Sequence, residues 1–310
     1  MSFELPEVAV LLAAYNGMPW IEEQLASILA QTNVHVSIYI SVDPSTDGTE
    51  SWCAKYALSH PNVTLLPPVG PFKGAARNFF RLIRDVDFSA YHFVSFSDQD
   101  DIWYPDKLER AIATLRSDHI DGYSSNVVAF WPNGRRMLVD KAQPQVQWDY
   151  LFEAAGPGCT YVLKPALASG FKQLIVDKWE RVQEIALHDW FCYAYARSHG
   201  FKWFIDPVPG MDYRQHADNH IGVNSGISSG ISRLHRIVDG WWYQQIELTR
   251  SLVLKDVKGF LDNSSFIRLR CGQIFQMSRD CRRKRRDQLI FPALYLMAKL
   301  FGSSLKKHAV

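Results

Sequence analysis

Phe93-Val94-Ser95-Phe96-Ser97-Asp98-Gln99-Asp100-Asp101-Ile102-Trp103-Tyr104-Pro105 is the stretch on which the reading of this chain turns. A β-rich run ends in three carboxylates within four positions, followed by an aromatic pair and a proline. Buried like charges repel and lose hydration, so Asp98, Asp100 and Asp101 do not belong together in a closed core. At the mouth of a strand the same cluster suits a hard divalent cation, which takes oxygen ligands. A nucleotide diphosphate is a common anionic partner for such a cation. The plainer reading is a solvated acidic turn that caps a helix starting near Pro105. The surrounding chain decides between them.

Upstream, Val8 to Ala14 is a continuous apolar run, as expected of a strand buried on both faces of a parallel sheet. It ends at Tyr15-Asn16-Gly17, a turn signal, and Pro19 can open the helix that carries Trp20, Ile21, Leu25, Ile28 and Leu29. Val34 to Val42 predicts a second strand, Asn62 to Leu66 a third and Tyr91 to Ser97 a fourth, with a helix from Gly74 to Asp85 between the last two. Strands alternating with helices argue for a parallel-dominated α/β sheet flanked by helices. In such sheets ligands bind beyond the carboxyl ends of the strands. Tyr15-Asn16, Asp43 to Thr49 and Asp98 to Asp101 all fall there. There is no GxGxxG and no GxxxxGK[ST], so neither a dinucleotide fingerprint nor a P-loop is present.

The 310 residues are 47% hydrophobic and 21% charged, which makes a folded rather than a disordered chain. Net charge is only +2, yet residues 225–310 hold 16 Lys and Arg against 6 Asp and Glu. The front is therefore acidic and the tail basic. Five cysteines without a CxxC pair fit neither a disulfide framework nor a zinc site. No apolar run approaches the ~20 residues needed to span a bilayer. The N-terminus lacks the basic-then-apolar order of a signal peptide, so the cytoplasm is expected.

Several blocks together resemble a known family. They are Leu11 to Gly17, Glu22 to Leu25, Ser27 to Thr32, Asp43, Ser45 to Thr49, Lys73-Gly74, Asn78-Phe79 and Asp98 to Trp103. Gly158-Cys159-Thr160, His188-Asp189-Trp190 and Tyr213-Arg214-Gln215-His216, with Asn219 and Gly222, continue the order. The pattern is similar to that of family 2 glycosyltransferases of the GT-A fold, and nearest to bacterial rhamnosyltransferase-like members that build surface polysaccharides. It covers roughly residues 7 to 224. The expected organisation is a catalytic domain over 1–224 and a helical, basic C-terminal region over 225–310.

The resemblance implies inverting transfer of a sugar from a dTDP- or UDP-linked donor to a saccharide or lipid-linked acceptor. On the donor side it implies Ala14, Tyr15, Asn16, Asp43, Lys73, Asn78, Asp98, Gln99 and Arg214. Asp43 would read the base edge, Asp98 would contact ribose or support its loop, and Arg214 would neutralise diphosphate. The family's Asp-Asp-Gly-Ser is here Val42-Asp43-Pro44-Ser45, a stiffer loop with one acid fewer. For the cation, Mg²⁺ or Mn²⁺, it implies Asp100 with His216 from a closing segment. Asp189 is the implied base, and its plainer role is to cap the helix starting at Trp190. Trp103, Gly158, Cys159, Thr160, His188 and Trp190 are the implied acceptor side. Asp47 is expected only to cap a helix.

In the tail, Leu234, Ile237, Trp241 and Leu248 keep helical spacing, and Arg282-Arg283-Lys284-Arg285-Arg286 precedes the apolar Leu289 to Ala298. With no stacking-aromatic module, nucleic acid is not expected. Two readings are open: an interfacial helix on the anionic inner face of the cell membrane, or a solvated face on a docking or homodimer helix.

Overall fold

A computed structural model of the chain describes residues 4–117, 119–216, 239–254 and 278–302, with backbone alone at 117 and 295–302. The chain divides into two units, Met1–Ala142 with Ala155–Gly222 and Gln143–Ala154 with Val223–Val310. The boundary expected at 224/225 lies outside the described residues. Gln143–Ala154, placed by the sequence within the front domain, belongs with the C-terminal residues.

The first unit opens with β1 (Glu7–Ala14), α1 (Ile21–Leu29), β2 (His35–Val42), α2 (Thr49–Ser59), β3 (Val63–Leu65) and α3 (Ala75–Asp85). β1 is buried from Val8 onward, which is why its residues are apolar on both faces. Then come β4 (Phe93–Ser97), β5 (Ile102–Trp103), α4 (Lys107–Ser117), β6 (Gly122–Ser125), β7 (Val127–Phe130) and β8 (Arg136–Val139). β9 (Val162–Leu163), α5 (Pro165–Asp177), α6 (Trp179–Val182), α7 (His188–Ser198), β10 (Trp203–Asp206) and β11 (Met211–Arg214) complete it.

Seven strands form the main sheet in the order β10-β6-β9-β4-β1-β2-β3. β4, β1, β2 and β3 run parallel, whereas β9 is antiparallel to both β4 and β6. The register pairs Ala14 with Val42 and Leu12 with Ser97. The loops after β1, β2 and β4 therefore leave the sheet side by side, at the edge where open α/β sheets bind ligands. A second sheet, β5-β11-β7-β8, follows directly from the acidic loop after β4. The architecture is a parallel-dominated mixed α/β sheet flanked by helices.

In the second unit, α8 (Trp241–Val253) and α9 (Arg285–Gly302) pack on Gln143–Ala154 through Phe152, whose ring meets Phe291 edge-on at 5.0 Å. Trp241 and Leu248 lie on α8; Leu234 and Ile237 lie outside the described residues. The basic run does not all face solvent. Arg283 donates from Nη1 to Asp149 Oδ2 at 3.1 Å, with both side chains closed to solvent. Its Nη2 donates to the Ala154 carbonyl, and Arg282 Nη1 donates to that of Phe152. A fully buried guanidinium needs a carboxylate and carbonyls around it, and Gln143–Ala154 supplies them. Cys53, Cys159, Cys192 and Cys281 are free and buried.

Candidate active site

The first two loops at the sheet edge are knitted together. Asn16, at φ 46°, donates its N–H to Ser45 Oγ, while its Oδ1 accepts from the Thr46 N–H. Met18 N–H donates to Asp47 Oδ2, and Thr49 donates both its N–H and its hydroxyl to Asp47 Oδ1. Gly48, not Asp47 as expected, is the N-cap of α2; Asp47, one residue earlier, accepts the first N–H of the helix and also binds the β1–α1 turn. Burial alone would raise its carboxyl, and the Thr49 and Met18 donors outweigh that and lower it. Gln99 makes a reciprocal pair with the Tyr15 backbone, accepting its N–H at 2.6 Å and donating to its carbonyl at 2.7 Å. A Cβ on Gly17 would meet Gln99 Oε1 at 2.5 Å, so glycine is required there. Tyr15 itself projects outward, 55% exposed.

Asp43 is buried, and its two oxygens accept the Phe72 and Lys73 N–H groups at 2.7 and 3.0 Å. It thus holds the loop before α3, where Lys73 adopts φ 59° with an exposed side chain. The Asp43 backbone N–H donates to the Ala14 carbonyl. Asn78 departs from the expected donor side. It is 2% exposed and clamps the ends of β1 and β2, donating to the carbonyls of Ser41 and Ala14.

The acidic loop is the centre. Asp100 Oδ2 lies 2.8 Å from His216 Nε2, and the imidazole stacks on Trp20 at 3.9 Å and 19°. Residues 217–222 of that motif, including Asn219 and Gly222, lie outside the described residues. Arg214 braces the loop: Nε donates to the Asp100 carbonyl, its guanidinium pairs with Glu23, and its backbone N–H donates to Asp101 Oδ1. Oδ2 of Asp101 has no partner among the described residues. Asp98, Asp101 and the buried Cys159 bring ligand atoms within 4.8 Å of one another. Burial, then the charges of Asp100 and Asp189, push Asp98 up to about 7; burial, then Asp100 and Asp98, raise Asp101 as well.

Lys107, 1% exposed, lies with Nζ 3.4 Å from the centre of the Trp103 ring, and burial lowers it to about 7 despite Cys159 and Asp101. The donor set fits a divalent cation: Asp100 and His216 converge, the carboxylate suiting Mg²⁺ or Mn²⁺ and the imidazole favouring a transition metal such as Mn²⁺ over Mg²⁺.

Asp189 lies in the first turn of α7, where its Oδ1 accepts the Trp190 N–H. Burial pushes its carboxyl up to about 6, although Trp190, Lys141 and Gly158 act the other way. A partly exposed carboxylate poised near neutrality suits proton abstraction from a hydroxyl. His188 stacks on Phe79 at 3.8 Å, and burial lowers it to about 3, so it is neutral. A Cβ on Gly158 would fall 2.5 Å from His188 Nε2 and 3.0 Å from Asp189 Cβ. Glycine there lets the turn close against both residues.

The other expected acceptor contacts are corrected by burial. Trp103 is 2% exposed and Trp190 4%, while Cys159 and Thr160 are closed to solvent. None offers a surface on which a sugar can stack, and they support the loop and α7 from behind. Missed in the sequence were Glu23, Trp20, Lys107 and Lys141. Glu23 lies inside a motif block, which was signal enough to include it.

Residues 9–156 match the glycosyl transferase family 2 model. The chain is 47% identical over 253 residues to the dTDP-rhamnosyl transferase RfbG of Shigella flexneri, spanning 81% of this chain and 87% of that protein. It belongs to glycosyltransferase family 2. A 25% identical stretch, 55% of the chain, is shared with the UDP-Glc:alpha-D-GlcNAc-diphosphoundecaprenol beta-1,3-glucosyltransferase WfgD of Escherichia coli. The fold is that of S. aureus TarS 1-349, solved with UDP-GlcNAc, at a TM-score of 0.52 and 12% identity over 97% of this chain and 92% of that one. As a family 2 glycosyltransferase of the GT-A fold, the protein is an enzyme that takes its sugar from a nucleotide donor. No helix among the described residues is long and apolar enough to cross a membrane.

Proposed function

We propose that this chain transfers L-rhamnose from dTDP-rhamnose, with inversion, to a hydroxyl of a saccharide or lipid-linked acceptor during surface polysaccharide synthesis, at the cytoplasmic side. The donor choice rests on the likeness to RfbG. The observation that carries the chemistry is the convergence of Asp98, Asp100, His216 and Asp189 beyond the strand ends.

In this reading Asp100 and His216 would hold Mg²⁺ or Mn²⁺, which would supply positive charge for the leaving diphosphate. Tyr15, Asn16, Gln99 and the Asp43-braced loop with Lys73 form the nucleotide cradle, and Asp98 faces ribose. Asp189 accepts the proton of the acceptor hydroxyl as its oxygen attacks the anomeric carbon, and the bond from that carbon to the diphosphate oxygen breaks. Gly158 and the neutral His188 fix where Asp189 stands. Arg214 acts through Asp100, keeping its loop in place.

The test is nucleotide release by purified protein from dTDP-rhamnose, UDP-galactofuranose, UDP-glucose and UDP-N-acetylglucosamine, each with Mn²⁺, with Mg²⁺ and with chelator. Metal-dependent release of dTDP supports the proposal. Release from a UDP-sugar instead makes the chain a hexosyl or galactofuranosyl transferase. Tight nucleotide binding without release, even with acceptor extracts, would leave a nucleotide-sugar-binding protein.

A further inference from the structure

Between Arg285 and Leu294, the exposed positions of α9 are Arg285, Arg286, Leu289, Ile290 and Ala293. The spacing i, i+1, i+4, i+5, i+8 places them on one helical face. Leu289 is 81% exposed and Ile290 44%, and Arg286 keeps 76% of its side chain in solvent. The opposite side is anchored, because Phe291 is 2% exposed and packs on Phe152 and Trp242. Arg282 and Arg283 fix the start of the helix on Gln143–Ala154. Their inward turn leaves Arg285 and Arg286 as the solvent-exposed arginines of the run, Arg286 beside Asp287. From residue 282 to the end the sequence carries eight Lys and Arg against one acid, Asp287, which pairs with Arg282 and Arg286.

We propose that this face of α9 docks on an anionic phospholipid surface, with Arg285 and Arg286 at the headgroups and Leu289 and Ile290 in the acyl boundary. Two large aliphatic side chains turned to water on a rigidly held helix, with guanidiniums at one end, match the two terms of interfacial binding: apolar burial and attraction to negative lipid. With no helix long and apolar enough to cross among the described residues, the contact is interfacial. A second copy with its helix parallel would gather four guanidiniums in one patch; an antiparallel copy is the alternative that velocity sedimentation tests. Nucleic acid would engage the arginines but has no use for Leu289 and Ile290. The proposal deepens the lipid-linked branch of the proposed function, yet surface binding stands or falls without any turnover.

The experiment is co-sedimentation of the full-length chain with vesicles of phosphatidylcholine alone or with about 30% phosphatidylglycerol, at low and high salt. Expected is retention by the anionic vesicles, weakened by salt and lowered at least about tenfold by Leu289→Glu with Ile290→Glu, or by Arg285→Glu with Arg286→Glu. These positions are exposed, so folding and vesicle-free donor hydrolysis remain at the parent level. Absence of retention, or equal retention of parent and Leu289→Glu/Ile290→Glu, overturns the proposal. Self-association in velocity sedimentation that those variants abolish would also overturn it, assigning the face to a second copy.

Discussion

His216 Nε2 and Asp100 Oδ2 lie 2.8 Å apart although 116 residues separate them in the chain. Trp20 from the β1–α1 turn stacks on the imidazole and holds it in that place. Asp100→Asn and His216→Ala are each expected to weaken Mn²⁺ binding, read from the free-ion spin resonance signal. Donor turnover should fall by roughly 10²- to 10³-fold, typical of losing one group that stabilises developing charge. Unchanged Mn²⁺ affinity in both variants would remove them from the metal site.

Asp189 must be ionised to accept a proton, and burial places its carboxyl at about 6. Turnover should therefore rise with pH through about 6 and level off above it. Lys141 lowers that carboxyl, so Lys141→Met should move the rising limb to higher pH. Asp189→Asn should cost roughly 10²- to 10⁴-fold in kcat while dTDP affinity by calorimetry stays at the parent value. A pH-independent parent rate between 5 and 7 would contradict the assignment.

Gly158→Ala puts a methyl group 2.5 Å from His188 Nε2. The ring is stacked on Phe79 and has nowhere to retreat, so overpacking should cost about 1–3 kcal/mol. Thermal unfolding reads the cost, and kcat should fall with it because Asp189 moves too. A melting temperature equal to the parent's would mean that the turn relaxes freely.

Asp43→Asn leaves one of the Phe72 and Lys73 N–H groups facing an NH₂ instead of an oxygen. The expected loss is about 1–3 kcal/mol for an unsatisfied buried donor. Kinetically, donor KM should rise more than kcat falls, since the loop rather than the reacting centre is disturbed.

Arg283→Met takes the guanidinium away from the Asp149 carboxylate while both sites are closed to solvent, at a cost of about 3–5 kcal/mol in urea unfolding. Adding Asp149→Leu should restore part of that loss. A double variant no better than the single one would mean that Arg283 contributes mainly through the Ala154 carbonyl.

The alternating apolar runs made β1 to β4 legible, and their ends located Tyr15, Asp43 and the acidic loop. What the residues could not convey was side-chain direction. In β5, two residues long, pleating sends Ile102 to one face and Trp103 to the other, and it is Trp103 that is buried. Composition cannot tell which way so short a strand faces. Asn78 and Asp43 carried the right polarity for a ligand but spend it on β-strand carbonyls and loop amides. Arg283 reads as part of a solvated run because its partner, Asp149, lies 134 positions earlier. Long-range pairing of this kind leaves no periodic trace.

The acidic loop has a mechanical consequence as well. β4 belongs to the seven-stranded sheet and β5 to the four-stranded one, so Asp98–Asp101 is one of the backbone joints between them, beside Asn126 between β6 and β7 and residues 207–210 between β10 and β11. Arg214, at the end of β11 in the smaller sheet, grips that joint through the Asp100 carbonyl and Asp101. The loop that links the sheets at this point is therefore the same loop that carries Asp98, Asp100 and Asp101. Arg214 thus ties the smaller sheet to the same loop that carries the acidic cluster.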